Sequence, residues 1–188
     1  AAIRLSRSLT PQAVRGAVVI LPIVSVPAFQ RRAIYINPMD GLNINRVFPG
    51  NPVGTITEVM AAALFREAVE QSDALIDLHG GDLVEALIPF TLYYQSGNPK
   101  VDEASQQMAE VYGIKYIVRS LANRGGSYQA AAAMGKPAIL AESGMQGILD
   151  EPSVQVHVRG VINVLKHLGV LEGAPEPGEQ PVHFPQSA

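Results

Sequence analysis

The apolar positions along the chain follow two rhythms. Short unbroken runs, "ALIDL" (74–78), "LIPFTLYY" (87–94), "IKYIVR" (114–119) and "PAILAES" (137–143), read as strands covered on both faces, since each is brief, apolar or β-branched, and bounded by turn residues. The run 17–24 within "GAVVILPIV" reads the same way and is the first strand of the series. Longer segments repeat their apolar residues every three or four positions. Residues 55–71 carry Val59, Ala62, Ala63, Phe65 and Val69 as a stripe behind a capping box of Thr55 and Glu58. Asn98 and Pro99 suit the cap and first position of a helix ending near Gly113. Residues 127–135 predict a short helix closed by Gly135, with Ser127 as its cap. Residues 151–168 set Val154, Val158, Val161, Ile162, Leu165 and Leu168 on one face of a last helix. The opening nine residues read as the end of a helix stopped at Pro11. Residues 30–55 are rich in proline and glycine and show no period, which marks a long loop of the kind that carries function.

Helices that alternate with apolar strands predict an α/β domain over residues 1–172, with a mixed or mostly parallel sheet covered on both faces. Residues 173–188, with four prolines, read as a linker or tail. Composition narrows the function. A chain of 188 residues with 47% apolar and 16% charged content can bury a core. A net charge of −3, with no basic cluster beyond Arg31 and Arg32, argues against a nucleic-acid binder. No apolar run is long enough to span a membrane. Cysteine is absent, which excludes disulfides and thiolate metal sites and fits a reducing, cytoplasmic setting. The oligomeric state, including a homo-oligomer, is left open.

In sheets of this kind polar chemistry gathers at the carboxyl ends of strands. Three ends stand out. "ALIDL" runs into His79, "PAIL" into Glu142, and "VVILPIV" into the loop that carries Asn45 and Arg46. His79 is a candidate metal ligand or general base, because a neutral imidazole suits Zn²⁺ and Asp77 lies two residues earlier on the same strand face to orient it. The competing reading is a core histidine satisfied by backbone groups, which Gly80 and Gly81 weaken, since glycines at a strand end let a ligand approach. Glu142 ends another apolar strand, where partial burial raises a carboxyl pKa and suits it to act as a base; a capping or salt-bridging acid is the alternative. Arg46, among apolar and amide residues in a loop stiffened by Pro38 and Pro49, suits a two-pronged grip on a carboxylate, with Asn45 beside it. No G-x-S-x-G or G-x-G-x-x-G spacing occurs, against a serine hydrolase or a dinucleotide site. His157, His167 and His183 read as surface residues.

Taken in order, "LNINRVFPG", "ALIDLHGGD", "AILAESG" and "GVINVLKHLGVLEG" resemble the succinylglutamate desuccinylase/aspartoacylase family of zinc-dependent deacylases, relatives of the zinc carboxypeptidases. The resemblance implies a three-layer α/β/α domain of the zinc-exopeptidase type. It implies one Zn²⁺ held by two histidines and a glutamate, and hydrolysis of an amide bond in an N-acyl amino acid or similar small carboxylate. His79 falls on the last zinc ligand, Glu142 on the proton-transferring glutamate, and Asn45 with Arg46 on the pair that grips the substrate carboxylate. Arg32 falls near a second arginine of the family, with Ile34 as a competing match. The family's H-x-x-E pair of ligands does not occur in these residues, so two further ligands are expected upstream of Ala1. The alternatives are a metal-free relative that binds carboxylates, and a zinc peptidase differing in substrate.

Overall fold

The computed structural model describes residues 1–185. Strands Leu75–His79 (β1), Phe90–Tyr94 (β2), Tyr116–Ser120 (β3), Ala138–Glu142 (β4) and Val182–Pro185 (β5) form one sheet in the order β1-β4-β2-β3-β5. β1 runs parallel to β4, and β2 and β5 run parallel to β3; β2 and β4 are antiparallel. The mixed sheet is therefore mostly parallel, as the alternation of elements predicts.

Helices Ala2–Ser8 (α1), Val26–Arg31 (α2), Ile56–Leu64 (α3), Pro99–Tyr112 (α4), Ser127–Ala133 (α5) and Glu151–His167 (α6) accompany it. Local chemistry sets their starts. Thr55 accepts from the Glu58 amide while the Glu58 carboxylate accepts from Thr55 N at 2.8 Å, the reciprocal pair that opens α3. Asn98 caps Lys100, with Pro99 in the first turn, and Asp150 caps Ser153 at 2.9 Å. α3 widens into a π turn over Phe65–Val69.

The pleat of β4 sorts the core into two halves. Ile139 and Ala141 face a cluster with Leu5 of α1, Met108 and Tyr112 of α4, and Val164 of α6. Ala138 and Leu140 face the opposite cluster, with Phe65, Val69, Tyr128 and Ala131. Side chains that alternate across one buried strand thus give helices on both sides, the three layers implied by the resemblance. Each large side chain withdrawn here contributes about 1.5–3 kcal/mol.

Three expectations are corrected. Residues 17–24 form no strand: Val18 and Ile20 pack on the first cluster, Val19, Leu21 and Ile23 are exposed, and no backbone ladder joins the run to β1. The apolar alternation describes how the segment packs, but a strand also needs a neighbour for its amides. The segment read as a tail is partly tied down: Asn163 of α6 brackets the Glu176 backbone at 2.9 and 3.1 Å, and residues 182–185 add β5 to the sheet edge. Residues 186–188 of that segment lie outside the described residues. Leu168, expected on the buried face of the last helix, is exposed.

One close contact fixes how α4 and α6 meet. Gly160, inside α6, lies against the Tyr112 ring so tightly that a methyl group there would overlap the ring. Glycine to alanine inside a helix normally stabilises by about 1 kcal/mol. Here the sign inverts: Gly160→Ala is expected to destabilise by about 1–3 kcal/mol through overpacking, read from urea denaturation.

Candidate active site at the ends of β1 and β4

His79 and Glu142 are the last residues of adjacent parallel strands and stand in register with one another. The link continues past the strand ends, where the Ser143 amide donates to the His79 carbonyl at 3.1 Å. Alternation along β1 and β4 sets Asp77, His79 and Glu142 on the face that α5 covers. There His79 Nε2 lies 3.2 Å from Asp77 Oδ1, and Nδ1 lies 3.8 Å from Glu142 Oε1. A carboxylate against Nε2 draws the proton to that nitrogen and turns Nδ1 toward Glu142.

The charges follow from this geometry. Burial works against a charged His79, but the Asp77 carboxylate and then Glu142 outweigh it and hold the ring's pKa up at about 9, Arg46 opposing. Burial pushes Glu142 up to about 7; His79 opposes, while Glu85, Asp77 and Asp82 add to the rise. Burial also works against ionised Asp77, yet the His79 contact and the Ser127 hydroxyl hold its pKa below the usual carboxylate value. The two carboxylates that favour an imidazolium would equally favour a cation bound at Nδ1.

A web of amides brings the loop residues to the same place. Asn45 sits in a single 3-10 turn, Ile44–Arg46. Its Oδ1 accepts from the Ser127 amide at 2.9 Å, and its Nδ2 lies 3.5 Å from His79 Nε2. Phe48 N donates to Gly125 O at 3.0 Å, so the turn is stapled to the approach of α5. The left-handed Gly125 (φ +75°) leaves no room for a side chain against the Arg46 carbonyl. Arg46 folds its Nη1 onto the Asn45 carbonyl at 2.7 Å. The structure thus unites Asn45, Arg46, His79 and Glu142. Arg32, which closes α2 in a left-handed conformation (φ 51°), is exposed and shares no hydrogen bond with them.

Two residues that the sequence reading misjudged belong to this site. Ser127 is the first helical residue of α5 rather than its cap, Gly126 holding that position; its hydroxyl instead donates to Asp77. His157 is buried and not on the surface: Nε2 lies 2.8 Å from the His79 carbonyl and Nδ1 2.8 Å from the Tyr112 hydroxyl. Its signal was its spacing, three residues after Val154 and four before Val161, on the apolar stripe. His167 and His183 are exposed, as expected. Gly80 and Gly81 admit neighbouring backbone, since a side chain on either would press on the carbonyl of Ser143 or Gly144. A cavity of about 250 Å³ between these loops is lined by Gly80, Gly81, Ser143 and Asp150 among others.

As a metal site the described residues offer one ligand. His79, with Nε2 engaged and Nδ1 directed at Glu142, fits a single imidazole ligand. Asp77 and Glu142 touch opposite nitrogens of the ring and do not converge on one point. Among the described residues no group of three or more His, Cys, Asp or Glu is arranged to hold an ion.

Comparison with known proteins identifies the family. Residues 1–168 match the Succinylglutamate desuccinylase/Aspartoacylase catalytic domain. The chain belongs to this family. It is 31% identical over 182 residues to the N-alpha-acetyl-L-2,4-diaminobutyric acid deacetylase of Halomonas elongata, a match covering 95% of this chain and 52% of that protein. Among solved structures of the succinylglutamate desuccinylase/aspartoacylase family, that from Rhodobacter sphaeroides superposes with a TM-score of 0.87 at 30% identity, over 98% of this chain and 56% of the other. The product-bound ectoine utilization protein EutE (DoeB) of Ruegeria pomeroyi gives a TM-score of 0.89 at 29% identity, over 100% and 57% of the two chains. The chain thus spans about half the length of the relatives it matches. Among the described residues no helix is long and apolar enough to cross a membrane.

The loop that delivers Asn45 is itself held by Asp40, whose carboxylate accepts from Thr57 N at 2.8 Å, Thr57 Oγ1 at 2.7 Å and Leu42 N at 3.2 Å. Burial raises its pKa, but these hydrogen bonds prevail and lower it from 3.8 to about 2. A depressed carboxyl contributes stability that is complete above its ordinary value and lost as pH falls through the folded value. Asp40→Asn is therefore expected to cost on the order of 1 kcal/mol at neutral pH. In urea titrations at several pH values, the difference from the unsubstituted protein should shrink between pH 4 and about 2.

Proposed function

We propose that this chain is the larger part of the catalytic domain of a zinc-dependent deacylase that hydrolyses the amide bond of an N-acyl amino acid or similar small carboxylate. The observation that carries the reading is the pairing of His79 and Glu142 in register at two strand ends, with the ring's Nδ1 toward the glutamate. His79 is one ligand of the ion in this reading, and two more ligands come from outside the present residues, since catalytic zinc sites use three. Bound zinc would supply polarisation of the scissile carbonyl and a lowered pKa for water. Glu142, its pKa near neutrality, is suited to take a proton and pass it to the departing amine. Asp77 keeps the imidazole oriented, and Ser127 keeps Asp77 in place. Arg46 and Asn45 bind the substrate carboxylate, Arg46 swinging from the Asn45 carbonyl to do so. Arg32 is the second arginine of this reading, a further positive charge for the substrate carboxylate. Asp82 and Glu85, close enough to raise Glu142, make that side of the site acidic and suit a substrate that also carries an amino group. The substrate named for the Halomonas elongata relative, N-alpha-acetyl-L-2,4-diaminobutyric acid, combines those features and is the first to try. A cytoplasmic setting is part of the same reading, which the cysteine-free composition suits.

Glu142→Gln separates the roles. In the whole protein it is expected to lower the hydrolysis rate by about 10²–10⁴-fold while zinc content by elemental analysis stays near one per site. Hydrolysis that survives the substitution would remove Glu142 from its role. An unsubstituted protein without zinc, binding carboxylates in the presence of a chelator, would instead mark a metal-free binding relative.

A further inference from the structure

α6 packs on the face of the sheet opposite the site, yet one of its side chains reaches a site residue. His157 is 6% exposed, and both its ring nitrogens are engaged at 2.8 Å, Nε2 with the His79 carbonyl and Nδ1 with the Tyr112 hydroxyl. A carbonyl oxygen only accepts, so Nε2 must carry the proton and Nδ1 must accept from the Tyr112 O–H. Each polar atom of this buried trio then has a partner in a single arrangement, and the tautomer is fixed. The His79 carbonyl takes a second hydrogen from the Ser143 amide at 3.1 Å, so both its lone pairs are occupied. That amide follows Glu142 in the chain, and His79 is Glu142's partner in the parallel register. The one carbonyl therefore joins the α6 imidazole to the backbone link between the β1 and β4 ends.

We propose that His157 is a positioning residue for the active site, acting through the His79 carbonyl, which selects its tautomer, with Tyr112 as the donor that occupies Nδ1. Gly160 is the third part of the device. It sits one turn beyond His157 on α6, and its bare Cα lets the Tyr112 ring lie flat enough against the helix for the hydroxyl to meet Nδ1. The parts come from α4, α6 and β1, and the ring of His157 meets that of Tyr112 edge-on with centroids 6.3 Å apart. His157 also lines the cavity beside Gly80, Gly81 and Ser143. Ordinary core packing would need the volume of an imidazole but not a donor at Nε2, and this difference can be measured.

That this carbonyl matters for catalysis rests on the roles proposed above for His79 and Glu142, and the test separates the two ideas. Glutamine at position 157 carries its amide nitrogen where Nε2 lies, and asparagine carries it where Nδ1 lies. Long-range ¹H–¹⁵N spectra of the unsubstituted protein are expected to show His157 protonated at Nε2 and bare at Nδ1. His157→Gln should leave the His79 ring resonances in place and zinc affinity within about threefold. His157→Asn should shift those resonances and weaken zinc binding roughly tenfold, the scale seen when outer-shell partners of metal ligands are lost. Tyr112→Phe should leave His157 protonated at Nε2, held there by the His79 carbonyl, and shift only the Nδ1 resonance through loss of its donor. An Nδ1–H tautomer in the unsubstituted protein, or equal displacement of the His79 signals by Gln and Asn, would overturn the proposal. So would an asparagine variant that folds and leaves those signals unmoved. Failure of the unsubstituted protein to bind zinc would count against His79 as a ligand, and the ring resonances alone would then decide the role of His157.

Discussion

The parallel pairing of β1 with β4 is the constraint on which the rest depends. β4 lies inside the sheet and is buried on both faces, so its direction and register cannot slip by one residue without exchanging Ile139 and Ala141 for Ala138 and Leu140 across the sheet. The two helical layers are filled by different side chains, and a slip would expose one set and crowd the other. Register in the core is therefore also register at the strand ends. Packing of ordinary aliphatic residues in the interior brings His79 beside Glu142 at the surface.

Around that pair the structure adds polar links from elements that are distant in sequence. Ser127 reaches Asp77 across fifty positions, and Asn45 reaches the Ser127 amide across eighty-two. Each link satisfies a group that burial would otherwise penalise by about 1–3 kcal/mol, so the network stabilises the fold while it orients the imidazole. Stability and preorganisation are the same set of hydrogen bonds here. A change to one of them is felt in both, and substitutions at Asp77 or Ser127 cannot be read as purely catalytic or purely structural.

Much of this was legible before the fold was known, for reasons that can be named. The runs at 74–78 and 137–143 announced buried strands because a sheet covered on both sides leaves no polar positions to break the run. The caps at Thr55 and Asn98 follow from unpaired amides at helix starts. His79, Glu142, Asn45 and Arg46 were marked by standing at the ends of such runs or in a stiffened loop. The failures are equally specific. Residues 17–24 have the composition of a strand, but composition carries no information about which backbone will pair with it. β5 has four residues, one of them proline, too little pattern to read. His157 was assigned by its polarity when its place on the stripe of α6 was the better guide. The clamp of Asp40 on Thr57 joins residues seventeen apart through a loop without period, and nothing local announces it.

The single antiparallel neighbour in the sheet has an architectural effect. Because β2 runs against β4, the end of β1 and the start of β2 lie on the same edge, with His79 and Phe90 flanking Glu142 from either side. The connection over residues 80–89 needs no crossover through the helical layers and hydrogen-bonds instead to the loop after β4, through Gly81 with Gly144 and Gly147 and through Glu85 with Gln146. Its anchors are fixed by the sheet, while the span between them carries no strand pairing. Side chains can change there without disturbing the interior, so this connection can be rewritten while the register of His79 with Glu142 is kept.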